Sequence, residues 1–439
     1  MARGKVEAPF VRRYVEGWDE LAQHLRDREW NEIVEKSGVP RGTIKKAAAL
    51  YASSRRTIFA WAMGITHHEN GVQNVQMIAN LALARGMIGR PGCGLLPLRG
   101  HSNVQGIGSM GVTPQLKDAI FERLQAAFDL KLPTTKGLDT LGCILQAHKK
   151  KMKFAMCLGG NLYGSNPDSI FAAEAMSRID QVVYLSTTLN TGHVRGRGKE
   201  TIILPVQARD EEAQMTTQES MFNFVRLSEG GVPRYEGPRS EVGVIASIAQ
   251  AVLGDEGSLD WDMMREHGRI REAIGQIIPG YEAIGKIDDT KQEFHIAGRT
   301  FHEPEFSTFS KKAIAHVIDL PELKASGEFE LRLMTVRSEG QFNTVVYEEH
   351  DLYRGQERRD VIMMSEKDIR ALGLQVDEPA KITSETGEIP NFLVRVIDIP
   401  PGNAVMYYPE ANVLIPKVAD KQSKTPAFKN VVVRVEAGE

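Results

Sequence analysis

The chain changes its hydrophobic rhythm several times. From about residue 15 to 54 apolar positions recur at helical spacing, most clearly in "SGVPRGTIKKAAALYASS", where Ile44, Ala47, Ala48 and Tyr51 share one face behind a proline. "TIFAWAMG" (57–64) reads as a buried strand ending at Gly64. The loop "ITHHENG" follows, then a helix over "VQNVQMIANLALARG", giving a strand, loop and helix of the α/β type. Residues 86–111, "GMIGRPGCGLLPLRGHSNVQGIGSMG", carry eight glycines and two prolines, too much punctuation for regular structure. A loop that long in a compact chain points to function.

The βα rhythm then resumes. "KGLDTLGCILQAHKKK" predicts a helix, "KFAMCLGG" a strand, and "SNPDSIFAAEAMSR" a helix opened by Ser165 or Asn166 with Pro167 in its first turn. "QVVYLSTT" and "ETIILPV" predict two further strands, so residues 102–254 read as a doubly wound α/β domain with its loops at the carboxyl ends of the strands. Residues 255–327 read as a mixed connecting region, helical around "WDMMREHGRIREAIGQI". From 328 to 439 short β runs separated by "TGE" and "PPGN" predict a small β-barrel.

Composition narrows the function. With 439 residues, several domains are expected. The balance of 54 basic and 57 acidic side chains gives −3, which offers a polyanion no footprint, so nucleic acid is not an expected partner. No apolar run approaches the roughly 18 residues of a membrane span, and "MARGKVEAPFVRRYVEG" lacks the apolar core of a signal peptide, so the expected location is the cytoplasm. Three cysteines without C-x-x-C spacing encode neither a disulfide framework nor a self-contained zinc or iron–sulfur site, and no residue is assigned as a metal ligand.

Several motifs carry candidate chemistry. Residues 33–52 have the outline of a helix-turn-helix, but the second helix is apolar over most of its surface, which favours a packing pair over a DNA reader. His67, His68 and Glu69 are adjacent on a loop and lack the i, i+4 spacing of a metal helix, so they read as pocket lining. Cys93 has no neighbouring base and reads as structural. "CLGGNLYGSNPD" (157–168) is a glycine-rich strand-to-helix turn that suits an anion, and Asn161 suits a ribose or a base. "YLSTTLNTGHVRG" (184–196) adds a second polar loop beside it, and together the two imply an extended polar ligand. "TVRSEGQFNT" and "ANVLIPKVADKQSKTPAFK" give the barrel Arg337, Gln341, Asn343, Asn412 and Lys424 on loops.

Taken together, "MGITHHENGVQNVQMIANLALARGMIGRPGCGLLPLRGHSNVQGIGSMG", "GGNLYGSNPD", "TVRSEGQFN" and "KTPAFKNVVVRVE" resemble the catalytic alpha subunits of the molybdopterin oxidoreductases, nearest to formate dehydrogenases and their YdeP-like subgroup. The resemblance runs from about residue 10 to 437 and covers the family's C-terminal portion. It implies an α/β protein with two doubly wound Rossmann-like domains, the first (1–101) being the C-terminal part of its domain, followed by a double-psi-type barrel. It implies molybdenum or tungsten on two molybdopterin guanine dinucleotides, and two-electron oxidation or reduction of a small anionic substrate. By resemblance Met63, His67, Gly160, Asn161, Ser165, Thr188 and Thr191 lie at the cofactor, as do Arg337, Ser338, Gln341, Asn343, Asn412 and Lys424 on the barrel side. Arg99 and His101 take the active-site positions, and a guanidinium fork suits a planar carboxylate.

Two positions depart from the formate dehydrogenase pattern, with His101 and His67 standing where glutamine is usual. The family's N-terminal 4Fe-4S motif and metal-ligating residue have no counterpart in these residues. The expectation is therefore a fragment, a split subunit or a remnant, inactive alone and completed by a missing N-terminal segment or second chain, with an iron–sulfur electron-transfer subunit as a further partner. The alternative is a metal-free scaffold, as the large subunit of respiratory complex I looks to be.

Overall fold

The computed structural model describes residues 5–254, 257–297, 302–324, 327, 329–338, 341 and 350–438. Its N-terminal unit packs the helices Ala8–Tyr14, Trp18–Arg26 and Gly71–Ala84 around Val11, Leu21, Leu83 and Met87. The strand expected to be buried is Ile58–Trp61, and it is not: its positions alternate between exposed and half-buried, with Ile58 57% exposed. Among the described residues it pairs on one side only, in parallel with Gly94–Pro97, and a two-stranded sheet leaves an edge and much of a face in solvent. That partner strand, and the helix Val104–Ser109, lie within the stretch expected to be irregular. The glycines there punctuate the elements without preventing them.

The second α/β unit is a parallel sheet in the order Phe154–Leu158, Gln181–Ser186, Glu200–Pro205. Its middle strand is buried on both faces, against Ile144, Ala175 and Met176 on one side and Val206 and Val244 on the other, which makes the unit doubly wound. The helix after the glycine turn is Ser169–Ser177, and Asp168 caps it in place of Ser165 or Asn166. Its carboxylate accepts from the Phe171 N–H at 3.0 Å, while Asn161 caps a separate short turn, Leu162–Ser165.

Residues 216–295 add an antiparallel sheet, Thr216–Glu219, Phe224–Ser228 and Phe294–His295. It shares a core of Ile120, Val225, Ile277, Tyr281 and Ile287 with the helices Asp118–Phe128 and His267–Ile277. The stretch after residue 254 thus holds part of a core, and its Ala313–Ile314 returns to pair with Val15–Glu16.

The C-terminal unit is a closed six-stranded barrel in the order Glu330–Val336, Asn403–Tyr407, Val361–Met364, Glu388–Val396, Pro379–Thr383, Lys429–Ala437. Two of its pairings are parallel and four antiparallel, the mixed register of a double-psi barrel. Closure removes every edge. The barrel is fastened to the second α/β unit by buried Asn412, whose amide donates to the carbonyls of Gly164 (2.8 Å) and Asn166 (3.0 Å). Lys417 of the same segment pairs with Asp168. No helix among the described residues is long and apolar enough to cross a membrane.

Candidate functional site

Three units converge at one place. His101, on the loop between the strand Gly94–Pro97 and the helix Val104–Ser109, sets Nε2 3.5 Å from Nη1 of Arg337, which follows the first barrel strand. The Arg337 guanidinium lies 4.5 Å over the Tyr408 ring, and Ser165 of the glycine turn is near enough to the Tyr408 hydroxyl to influence its acidity. His67 ends a short helix, Met63–Thr66, and its carbonyl accepts from the Lys429 N–H at 3.0 Å. The Lys429 ammonium, at the start of the last strand, donates to the Thr335 carbonyl. Sequence-predicted His67, His101, Ser165 and Arg337 are therefore brought together. Lys429, Tyr408 and Arg354, which sequence reasoning did not single out, complete the cluster.

The electrostatics follow from packing cations beside one another. Burial, then Lys429, Arg337 and His68, pushes His67 down to about 4, so its ring is neutral at neutral pH. Burial, then Arg337, also lowers His101. Burial, then Arg337 and Arg354, takes Lys429 down to about 8. The ring of Tyr408 sits among these groups with its hydroxyl pushed up to about 12 by burial. A pocket where like charges accumulate and imidazoles stay neutral favours an anion.

The other end of the site is built from neutral hydrogen bonds. Gly159 and Gly160 take left-handed φ values of 62° and 70°, and a Cβ at either would meet nothing within 4 Å among the described residues, which leave the turn open to an approaching ligand. The Gly160 carbonyl accepts from the Asn190 amide at 3.0 Å, tying the two polar loops together. Asn161 is buried with both polar ends engaged: its oxygen accepts from the Gly164 N–H at 2.7 Å and its amide donates to Thr191 Oγ1 at 2.9 Å. Thr188 and Thr191 form the exposed rim. His193 Nδ1 accepts from the Asn190 N–H, while its buried Nε2 has no partner among the described residues.

The remaining candidates are dispersed. Arg99 is exposed on its loop, its N–H 3.5 Å from Met221 Sδ. Ser338 and Gln341 are buried and brace Arg359, whose guanidinium donates to Ser338 Oγ at 2.9 Å and Gln341 Oε1 at 3.1 Å; these three fix the turn that carries Arg337. Asn412 keeps one buried oxygen without a partner among the described residues. Lys424 stands exposed in a turn organised by Asp420, Met63 is exposed beside the His67 helix, and Asn343 lies outside the described residues. The signal for Lys429 was present: it is a cation opening an otherwise apolar strand in "TPAFKNVVVRVE".

The helices Trp30–Ser37 and Arg41–Ser53, at the helix-turn-helix outline, bury no residue. The second helps line an apolar groove of about 530 Å³ with Trp18, Leu21, Leu25 and Leu81. Cys93 packs against Met87 at 3.6 Å, and buried Cys157 has its thiol pushed up to about 11. No group of three or more His, Cys, Asp or Glu among the described residues is placed to hold a metal ion.

Residues 27–221 match the family described as Molybdopterin oxidoreductase, and residues 331–432 match the Molydopterin dinucleotide binding domain. An uncharacterized oxidoreductase of Mycobacterium tuberculosis is 31% identical over 98% of this chain and 58% of its own length. Protein YdeP of Escherichia coli is 31% identical over 97% of this chain, again 58% of its own length. The F420-dependent formate dehydrogenase subunit alpha of Methanocaldococcus jannaschii is 23% identical over 98% of this chain and 66% of its own. The chain thus spans little more than half the length of the first two relatives. Among solved structures, acetylene hydratase from Pelobacter acetylenicus superposes with a TM-score of 0.70 at 14% identity, covering 99% of this chain and 68% of that one, a likeness of fold.

Proposed function

Because the chain belongs to the molybdopterin oxidoreductases, we propose that it forms the part of such an enzyme that holds a molybdopterin guanine dinucleotide cofactor and presents Arg99 and His101 to a small anionic substrate. The observation that carries this reading is the clustering of the barrel's Arg337 and Lys429 with His67 and His101, two cations beside two imidazoles.

The residues fit such a group. The open glycine turn suits a nucleotide, the cationic cluster suits pterin and phosphate oxygens, and the Asn412 oxygen at the barrel interface and His193 Nε2 within the α/β unit are buried polar atoms with no partner among the described residues. When bound, the group supplies molybdenum or tungsten chemistry that accepts or donates an electron pair. The chain's own part is binding and orientation. Arg337 and Lys429 neutralise the ligand's negative charge, and neutral His67 and His101 offer directional hydrogen bonds. Arg99, exposed on the loop that also carries His101, orients a carboxylate-like substrate by bidentate pairing.

The proposed partner is a segment or second chain that supplies the remainder of the enzyme with its iron–sulfur cluster. The greater length of the relatives supports this, as do the open edge of Ile58–Trp61 and the unburied helix Arg41–Ser53. Calorimetric titration of GDP, one half of the dinucleotide, tests the nucleotide end. Saturable binding that Gly160→Val weakens about tenfold is expected, since a branched side chain at a left-handed φ strains the turn and fills the cradle. Heats indistinguishable from those of ADP would overturn it.

A further inference from the structure

Glu219 is buried, 2% exposed, and no step of the proposed reading uses it. It closes the strand Thr216–Glu219 directly behind the loop that carries Arg99 and His101. Its backbone N–H donates to Asn103 Oδ1 at 3.0 Å. Asn103 sits at a left-handed φ of 59°, and a Cβ at Gly106 would come within 2.0 Å of that oxygen, so Gly106 leaves the side chain room to turn back. The Glu219 carboxylate accepts from Ser109 Oγ at 2.6 Å, and the Tyr281 hydroxyl donates to the same oxygen. Two residues further on, Met221 Sδ faces the Arg99 N–H. Residues 219–221 therefore touch the loop at Arg99 and Asn103 and, at Ser109, the end of the helix that follows it.

We propose that Glu219 is a positioning residue: through Asn103, Ser109 and Tyr281 it fixes the loop on which Arg99 and His101 meet the substrate. A carboxylate is suited to this because it accepts strong hydrogen bonds from several donors at once and, once buried, penalises any opening that leaves it without them. The tie also couples the substrate loop to the antiparallel sheet and its core around Tyr281. The proposal rests on the reading of Arg99 given above, and the experiment separates the two.

Hydrogen exchange is followed in the full chain for peptides spanning 98–110, with barrel peptides as the internal control. Glu219→Ala is expected to speed exchange in the loop about tenfold and leave the barrel unchanged. Glu219→Gln, whose amide oxygen accepts from the same two hydroxyls, is expected to stay near the original protein. Should Glu219→Ala fail to fold, Ser109→Ala, which removes one hydrogen bond, decides the matter through a smaller rise confined to the loop. Formate serves as the anion probe, and Ser109→Ala is expected to weaken its binding severalfold with the melting temperature unchanged. Loop exchange unaltered in every folded variant, or a loosened loop that binds formate as tightly as before, would overturn the positioning role. No formate binding by the unmodified chain would overturn the Arg99 reading, and the exchange result would stand apart from it.

Discussion

The two ends of the candidate site are built on opposite principles. At the glycine turn the protein satisfies itself: Asn161 and Asn190 spend their amides and carbonyls on Gly164, Thr191, Gly160 and Gly192, leaving an open, rigid, neutral cradle. At the barrel end it does the reverse, crowding Arg337 and Lys429 beside two imidazoles whose charged forms burial disfavours, with Arg354, paired to Asp351, adding its charge to the field at Lys429. The first end has little electrostatic energy to give a ligand and much geometric selectivity. The second holds unfavourable like-charge energy that an anion would relieve. An extended ligand with a base at one end and phosphate or pterin oxygens at the other answers both.

Breaking the neutral end should cost the most stability. Asn161→Ala removes a turn cap and a link between two loops within a buried network, and about 3 kcal/mol is expected to be lost, read as a lower denaturant midpoint with unchanged slope. The cationic end should behave oppositely. Lys429 releases its proton near pH 8 when folded, against 10.5 for an ordinary lysine, so between those values the unfolded chain binds more protons and stability rises with pH. Lys429→Met should abolish that rise, gain about 2 kcal/mol near pH 7, and weaken pyrophosphate binding.

His67 gives the same sign over a lower window. Its folded value of about 4 lies below the ordinary 6.5, so stability falls as pH drops from 6.5 towards 4 and the unfolded chain takes up the proton. His67→Gln should flatten that slope by about 1 kcal/mol per pH unit, measured by melting at successive pH values. The smallest effect is expected at Lys424, an exposed turn residue, where Lys424→Ala should change stability by less than about 0.5 kcal/mol. A larger loss there would mean the cationic end extends to that turn.

Much of the architecture was legible because burial imposes a pattern. The continuous apolar run "QVVYLS" is the buried central strand, and the β runs after residue 328 are the barrel. The strand Ile58–Trp61 has the same apolar signature, yet it lies half in solvent, because sequence records what a strand would bury and not whether a neighbour is present to bury it. The cap of Ser169–Ser177 went to Asp168 because a nearby carboxylate that also meets Lys417 outcompetes Ser165 and Asn166. At the site, His67, His101 and Arg337 carry chemistry visible in local motifs. Lys429 acquires its character from Arg337, 92 positions earlier in the chain, and Glu219 from Asn103, Ser109 and Tyr281. Such roles come from tertiary contact, which no local spacing encodes.

The central claim is that this chain cradles a molybdopterin guanine dinucleotide between its barrel and α/β units. The most direct test is to co-express it with a complementing N-terminal segment of a longer relative in cells that make the cofactor, then measure guanine nucleotide and metal in the purified complex. The account predicts two guanine nucleotides per molybdenum or tungsten, reduced when Arg337 and Lys429 are both replaced by methionine. A well-folded complex carrying neither nucleotide nor metal would contradict it.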